Sequence, residues 1–112
     1  MKTEEIDYTF DKKNFKGFVA YPDRANAPLI LIAPSWAGRD EFVMDKAREL
    51  AGEGFVAMAI DMYGEAKVGS STEENQSLMT PLVEDRDKLR SIARAALDAG
   101  RKLNEVCLLY TS

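Results

Sequence analysis

Residues Ala27 to Gly64, APLILIAPSWAGRDEFVMDKARELAGEGFVAMAIDMYG, decide the fold of this chain. Leu29 to Ala33 is continuously apolar, as a strand covered on both faces of a parallel sheet should be. From Asp40 the period changes: Val43, Ala47, Leu50 and Ala51 make a helical stripe, while Glu41, Asp45, Lys46, Arg48 and Glu49 face out. Arg39 or Asp40 starts this helix, with Asp40 the better cap by side-chain chemistry. Gly52 or Gly54 can end it in a left-handed conformation. Phe55 to Ile60 is a second apolar run, closed by Asp61. Two buried strands joined by one helix predict a right-handed βαβ crossover, the basic unit of an open α/β sheet.

Upstream, Glu4 to Phe10 alternates with Ile6, Tyr8 and Phe10 on one face, and Phe15 to Tyr21 is rich in Phe, Val and Tyr. With the polar turn Asp11-Lys12-Lys13-Asn14 between them, they predict an antiparallel hairpin. Pro22 to Asn26 reads as loop. Downstream, Gly64 to Ser71 is a polar loop, and Ser71-Thr72-Glu73-Glu74 has capping-box spacing for a short helix. Pro81 is expected to interrupt or restart it. Leu89, Ile92, Ala93, Ala96 and Leu97 mark an amphipathic helix from about Leu82 to Ala99, with Gly100 as its stop. Such a helix calls for a further parallel strand behind it.

The last residues read differently. Cys107-Leu108-Leu109-Tyr110-Thr111-Ser112 is what the codons of a transposon-end adapter, TGT CTC TTA TAC ACA TCT, encode. The expectation is that residues 1–104 are the N-terminal part of one domain and that 105–112 is a non-native tail. The alternative is a native strand start carrying Val106, Leu108 and Tyr110.

Composition bounds the function classes. The chain has 112 residues, 30% of them charged, with a net charge of −4. Basic and acidic residues are interleaved, so no basic face is set aside for nucleic acid. The longest apolar run is far too short for a membrane crossing, and the N-terminus lacks the apolar core of a secretory signal. A single cysteine, Cys107, cannot form an internal disulfide and fits a cytoplasmic setting. No Cys/His cluster offers a metal site and no Gly-rich loop offers a phosphate site, so neither metal nor cofactor is expected.

A strand ending in Ala33-Pro34-Ser35-Trp36-Ala37-Gly38, a helix, and a strand ending in Asp61-Met62-Tyr63-Gly64 together resemble the N-terminal half of the dienelactone hydrolase family. The resemblance runs over roughly Glu4 to Leu103, including Glu84-Asp85-Arg86. It implies a truncated α/β-hydrolase fold, a three-layer sandwich, and a parent enzyme that hydrolyses a small-molecule ester or lactone. In that family the nucleophile, usually cysteine, and its aspartate and histidine all follow the region seen here. The resemblance places Trp36 where a backbone N–H enters the oxyanion hole, since fixed donors stabilise the tetrahedral oxyanion without reorganising. Ser35 falls where well-known members carry a glutamate that interacts with the nucleophile. Glu65 falls near an arginine that binds a substrate carboxylate, with Lys67 or Arg86 the basic residues available to compensate. Dienelactone itself is therefore a poor guess for the substrate.

Each of these residues has a plainer reading. Ser35 sits in a relaxed nucleophile-elbow pattern, but Pro34 precedes it, both flanking glycines are absent, and the chain has no histidine to take its proton. It reads better as a polar residue at the strand mouth. Trp36 is either a packing residue or a pocket wall. Asp61 is expected to be structural rather than a catalytic acid or phosphoacceptor, and Tyr63 to pack at the strand mouth and touch substrate. Without the missing residues the chain is expected to be inactive. The competing class is a non-catalytic α/β binding or interaction module complete at this length, whereas truncation predicts an exposed sheet edge after Phe55 to Ile60.

Overall fold

The computed structural model describes residues 2–23, 27–34 and 38–103. Elements follow in the order β1 (Lys2–Phe10), β2 (Lys13–Tyr21), β3 (Leu29–Ile32), α1 (Glu41–Gly52), β4 (Val56–Ala59), α2 (Thr72–Glu84) and α3 (Arg86–Arg101). They build one mixed sheet in the order β1-β2-β4-β3. The expected hairpin is present, antiparallel and in register from Lys2↔Tyr21 to Phe10↔Lys13. The expected crossover is present too, with β3 parallel to β4. The expected boundary between 104 and 105 lies outside the described residues.

Alternation along the strands sorts the core into two clusters, one on each face. On one face Val19, Tyr21, Val56, Met58 and Ile92 pack with the flanking Leu29 and Leu31 beneath α2 and α3. On the other, Phe18, Ala20, Ala57 and Ala59 meet Val43, Ala47 and Ala51 of α1. Alanines on both sides of this second interface let α1 lie close to the sheet, whereas the α3 side is filled by large side chains. The result is the three-layer α/β arrangement that the apolar runs imply.

The sheet edge differs from the expectation. β2 pairs with β4 through Phe18↔Ala59, Val19↔Met58 and Ala20↔Ala57, so β4 is central rather than an edge. The hairpin supplies the cover that a parallel neighbour was expected to give. Among the described residues β3 is the edge strand beyond β4, and it is half-buried throughout.

Local chemistry accounts for the element ends. Asp40 Oδ1 accepts the Val43 N–H at 3.2 Å and caps α1. At the other end, Gly54 donates to Ala51 O and Phe55 to Leu50 O, with Gly54 at φ +103°. This is a Schellman cap, so Gly54 rather than Gly52 takes the left-handed position. Ser71 Oγ accepts the Glu74 N–H at 3.1 Å, as the capping-box spacing predicts. The Glu74 carboxylate, however, reaches the Ser70 N–H at 2.8 Å, one residue upstream of the usual partner.

Two expectations about the later helices need correction. α2 continues through Pro81 to Glu84, and the break falls at Asp85, whose side chain accepts the Lys88 N–H and starts α3. An available Asp cap outweighs the missing Pro N–H, and Thr80 Oγ1 donates back to the Gln76 carbonyl at 2.7 Å within the same turn. Gly100 does not stop α3, which runs to Arg101. A Cβ at Gly100 would lie 2.8 Å from Leu29 Cδ2, so glycine there permits close helix–sheet approach.

The hairpin turn is tighter than a four-residue loop. Only Asp11 and Lys12 lie between the paired Phe10 and Lys13, at φ 53° and 64°. Two-residue turns with both centres at positive φ suit the right-handed twist of the strands and favour glycine at the second position. Lys12→Gly is therefore expected to stabilise the protein by about 0.5–1 kcal/mol, measured as an upward shift of the urea midpoint.

Candidate active-site turn

Because β3 and β4 are parallel, the segments that leave them emerge at the same end of the sheet, the place where open α/β folds bind ligands. The chain after β3 reaches Gly38, the chain after β4 runs through Asp61 to Val68, and a Gly38↔Val68 bridge ties the two. The hairpin tip lies at this end as well, since β2 runs antiparallel to β4.

Asp61 organises the site. Its side chain is fully buried, and its two oxygens accept four backbone N–H groups. Oδ1 takes those of Tyr63 at 3.1 Å and Gly64 at 3.0 Å. Oδ2 takes those of Lys16 at 3.0 Å and Ala66 at 2.8 Å. Tyr8 completes the knot by donating its hydroxyl to the Asp61 carbonyl at 2.6 Å while accepting the Asp61 N–H at 2.8 Å. The Tyr8 ring stacks on its cross-strand partner Phe15, with centroids 5.5 Å apart. A carboxylate saturated by backbone donors serves as a structural anchor, as the sequence suggests, and the loop after β4 is thereby bound to both strands of the hairpin.

That loop carries strain. Glu65 and Ala66 stand at φ 52° and 56° in a turn closed by the Lys67 N–H on the Gly64 carbonyl at 3.0 Å. Two adjacent non-glycine residues in the left-handed region persist only where the surroundings over-determine them. Here the Asp61–Ala66 bond and the Glu65 N–H donated to Asn14 O provide that restraint. Glu65, Lys67 and Arg86 are all exposed.

Of the predicted site residues, Tyr63 is described and Ser35 and Trp36 lie outside the described residues. Tyr63 is buried, and its ring packs where a side chain on Gly38 would be. Gly38 has φ +95°, and a Cβ there would sit 2.6 Å from the Lys67 carbonyl oxygen and 3.0 Å from the Tyr63 ring. Glycine at 38 is thus required twice, for its dihedral and for its space. Next to it, the Arg39 side chain is buried and ion-paired with Glu5 of the hairpin, with its Nη1 also on Met44 Sδ. Sequence reading passes over Arg39 and Tyr8. An arginine beside a cap residue looks like surface, and nothing local to Tyr8 announces a partner 53 residues away.

Burial pushes the Tyr8 phenol far above the ordinary tyrosine range and raises that of Tyr63 as well. Both rings are therefore neutral when folded, while their unfolded counterparts ionise near pH 10. The stability this confers is complete below about pH 10 and is lost as pH rises toward the folded values. We expect unfolding free energy to fall above about pH 10, by up to about 1.4 kcal/mol per pH unit for each such ring. Alkaline denaturation followed by phenolate absorbance checks this, and a Tyr8→Phe variant should flatten the slope.

Among the described residues no group of His, Cys, Asp and Glu could hold a metal ion, and no helix is long and apolar enough to cross a membrane. Comparison with known proteins gives a consistent set. Residues 15–108 match the model of the dienelactone hydrolase family. The sequence is 26% identical over 113 residues to a Saccharolobus solfataricus protein named "Putative carboxymethylenebutenolidase", covering 95% of this chain and 44% of that one. A solved structure named m3DLH is 32% identical with a TM-score of 0.88, over 94% of this chain and 45% of its own. A dienelactone hydrolase-like promiscuous phosphotriesterase from metagenomic libraries is 30% identical, also at 0.88, over 94% of this chain and 44% of its own. The chain thus spans a little under half the length of these relatives.

Proposed function

The chain belongs to the dienelactone hydrolase family, and we propose that the full-length protein hydrolyses an ester, lactone or related acyl bond of a small-molecule substrate. The family match across residues 15–108 is the observation that carries this reading. The turn after β3 supplies the local chemistry. Its Gly38 end is fixed by Tyr63, Lys67 and the buried Arg39, so a backbone N–H at Trp36 can be held in place as one oxyanion-hole donor. Ser35 and Tyr63 form the lip against which the substrate rests.

In the reaction, a nucleophile from the second half of the protein attacks the carbonyl carbon. Charge moves onto the carbonyl oxygen, where the Trp36 N–H donates a hydrogen bond, and collapse of the intermediate expels the alcohol or ring oxygen. Water then releases the acid. The general base of this scheme is a histidine, and the 112-residue chain contains none. The metagenomic relative's phosphotriesterase activity makes a phosphotriester a reasonable second substrate, since its transition state also gathers negative charge on oxygen. We place the enzyme in the cytoplasm, in keeping with a single cysteine and no expected disulfide.

A comparison of two proteins tests the reading. The full-length enzyme should turn over p-nitrophenyl acetate, and the 112-residue chain should not exceed the denatured control. Turnover by the short chain would overturn its assignment as inactive. A full-length protein that is folded but silent on esters, lactones and phosphotriesters would favour a non-catalytic binding module.

A further inference from the structure

Between the hairpin tip and the two C-terminal helices lies a cleft that has only Tyr63 in common with the proposed substrate site, with a volume near 220 Å³. Its apolar lining comes from Phe10 and Phe15 of the hairpin, Leu78 and Leu82 of α2, and Ile92 of α3. Two cations stand at it, Lys13 and Lys88, against one carboxylate, Asp11. Lys88 also borders an adjoining depression that includes Asp85 and Asp87. Yet neither lysine forms an ion pair with a described carboxylate, although such pairs occur elsewhere on this surface.

Lys13 is exposed, but its stem is held against the surface. Its stem lies across Gly64, where its Cε occupies the place a Cβ would take, and its Nζ stands 5.8 Å from the Phe15 ring centroid. Ser77 and Pro81 lie one turn apart on the α2 wall of the same cleft. Pro81 has no N–H for the Ser77 carbonyl, which leaves that wall an acceptor without its usual helical donor.

An apolar floor with two ammonium groups that have no carboxylate partner among the described residues is the lining that a small organic acid with a hydrocarbon body requires. We propose that this cleft binds a monocarboxylate of that kind, with its body against Phe15, Leu82 and Ile92 and its carboxylate between Lys13 and Lys88. A volume of this size holds on the order of seven waters at ~30 Å³ each, or an acid of about eight non-hydrogen atoms. Hexanoate and short aromatic acids fit that bound. The site is distinct from the turn at Gly38 but shares Tyr63 with it, which lines the cleft and packs on Gly38.

Amide-resolved titration of the full chain with hexanoate, acetate and 1-hexanol tests the proposal independently of any hydrolytic activity. Hexanoate is expected to bind saturably with Kd on the order of 1 mM, about tenfold tighter than either acetate or hexanol. Shifts should centre on Lys13, Gly64, Ser77 and Lys88. Lys13→Gln and Lys88→Gln, both exposed positions, should each weaken hexanoate about fivefold and leave hexanol unchanged. Equal affinity for hexanol would overturn the role of the lysines, and equal affinity for acetate would overturn the role of the apolar floor. Absence of saturation by hexanoate, or shifts confined to other surfaces, would overturn the site itself.

Discussion

Asp61→Ala is expected to be among the most destabilising single substitutions in this protein. The substitution removes the shared acceptor of four backbone N–H groups in a fully buried setting. Each buried donor left unpaired costs about 1–3 kcal/mol, so even with two re-satisfied by water the loss reaches about 3–5 kcal/mol. Domains have only about 5–15 kcal/mol in hand, so a loss of that order is a large fraction of the total. Asp61→Asn should be milder, at about 2–4 kcal/mol. The amide keeps one acceptor oxygen but turns a donor toward two N–H groups that need an acceptor. Chemical denaturation of the three proteins measures the series, and an Asp61→Ala midpoint within error of the parent's would show that the knot is not what holds this end of the sheet.

Gly38→Ala should separate stability from catalysis. A residue with a Cβ in the left-handed region costs about 1–2 kcal/mol, and here the Cβ also meets the Lys67 carbonyl at 2.6 Å. Because that neighbour is backbone, relief requires the turn itself to move, and a total near 3 kcal/mol is expected. On the proposed mechanism, the displaced turn of the full-length protein would carry the Trp36 N–H away from the oxyanion. A misplacement of about 1 Å is worth on the order of 100-fold in rate. We therefore expect kcat to drop about 100-fold with a smaller change in KM, in protein that retains its native circular dichroism at the assay temperature. A stable Gly38→Ala enzyme with normal kcat would remove the turn from the catalytic machinery.

The fold was legible wherever periodicity was strong. Leu29–Ile32, Glu41–Gly52 and Val56–Ala59 lie within the stretches that their apolar patterns mark, and the hairpin follows from Ile6, Tyr8 and Phe10 alternating on one face. Sequence reading falls short where long-range pairing decides. Nothing in Phe55 to Ile60 says that β2 will dock antiparallel on one side of it, so the edge was expected at the wrong strand. It also falls short where two local signals compete. Pro81 reads as the interruption, yet a proline late in a helix forfeits one bond while the Asp85 cap secures the next helix. At the site, Asp61 and Tyr63 could be found from their place after an apolar strand. Arg39 and Tyr8 could not, because what matters about them is burial against distant partners.

The shared carboxylate has a further consequence for motion. The amides of Lys16, Tyr63, Gly64 and Ala66 come from two segments far apart in sequence, yet all four end on one side chain. None of them can be released singly at full cost, because letting go of the carboxylate frees the whole set. The hairpin and the loop after β4 therefore open as one cooperative unit, with a common free energy governing the hydrogen exchange of all four amides. A mutation at the hairpin tip would then speed exchange in the loop without touching it.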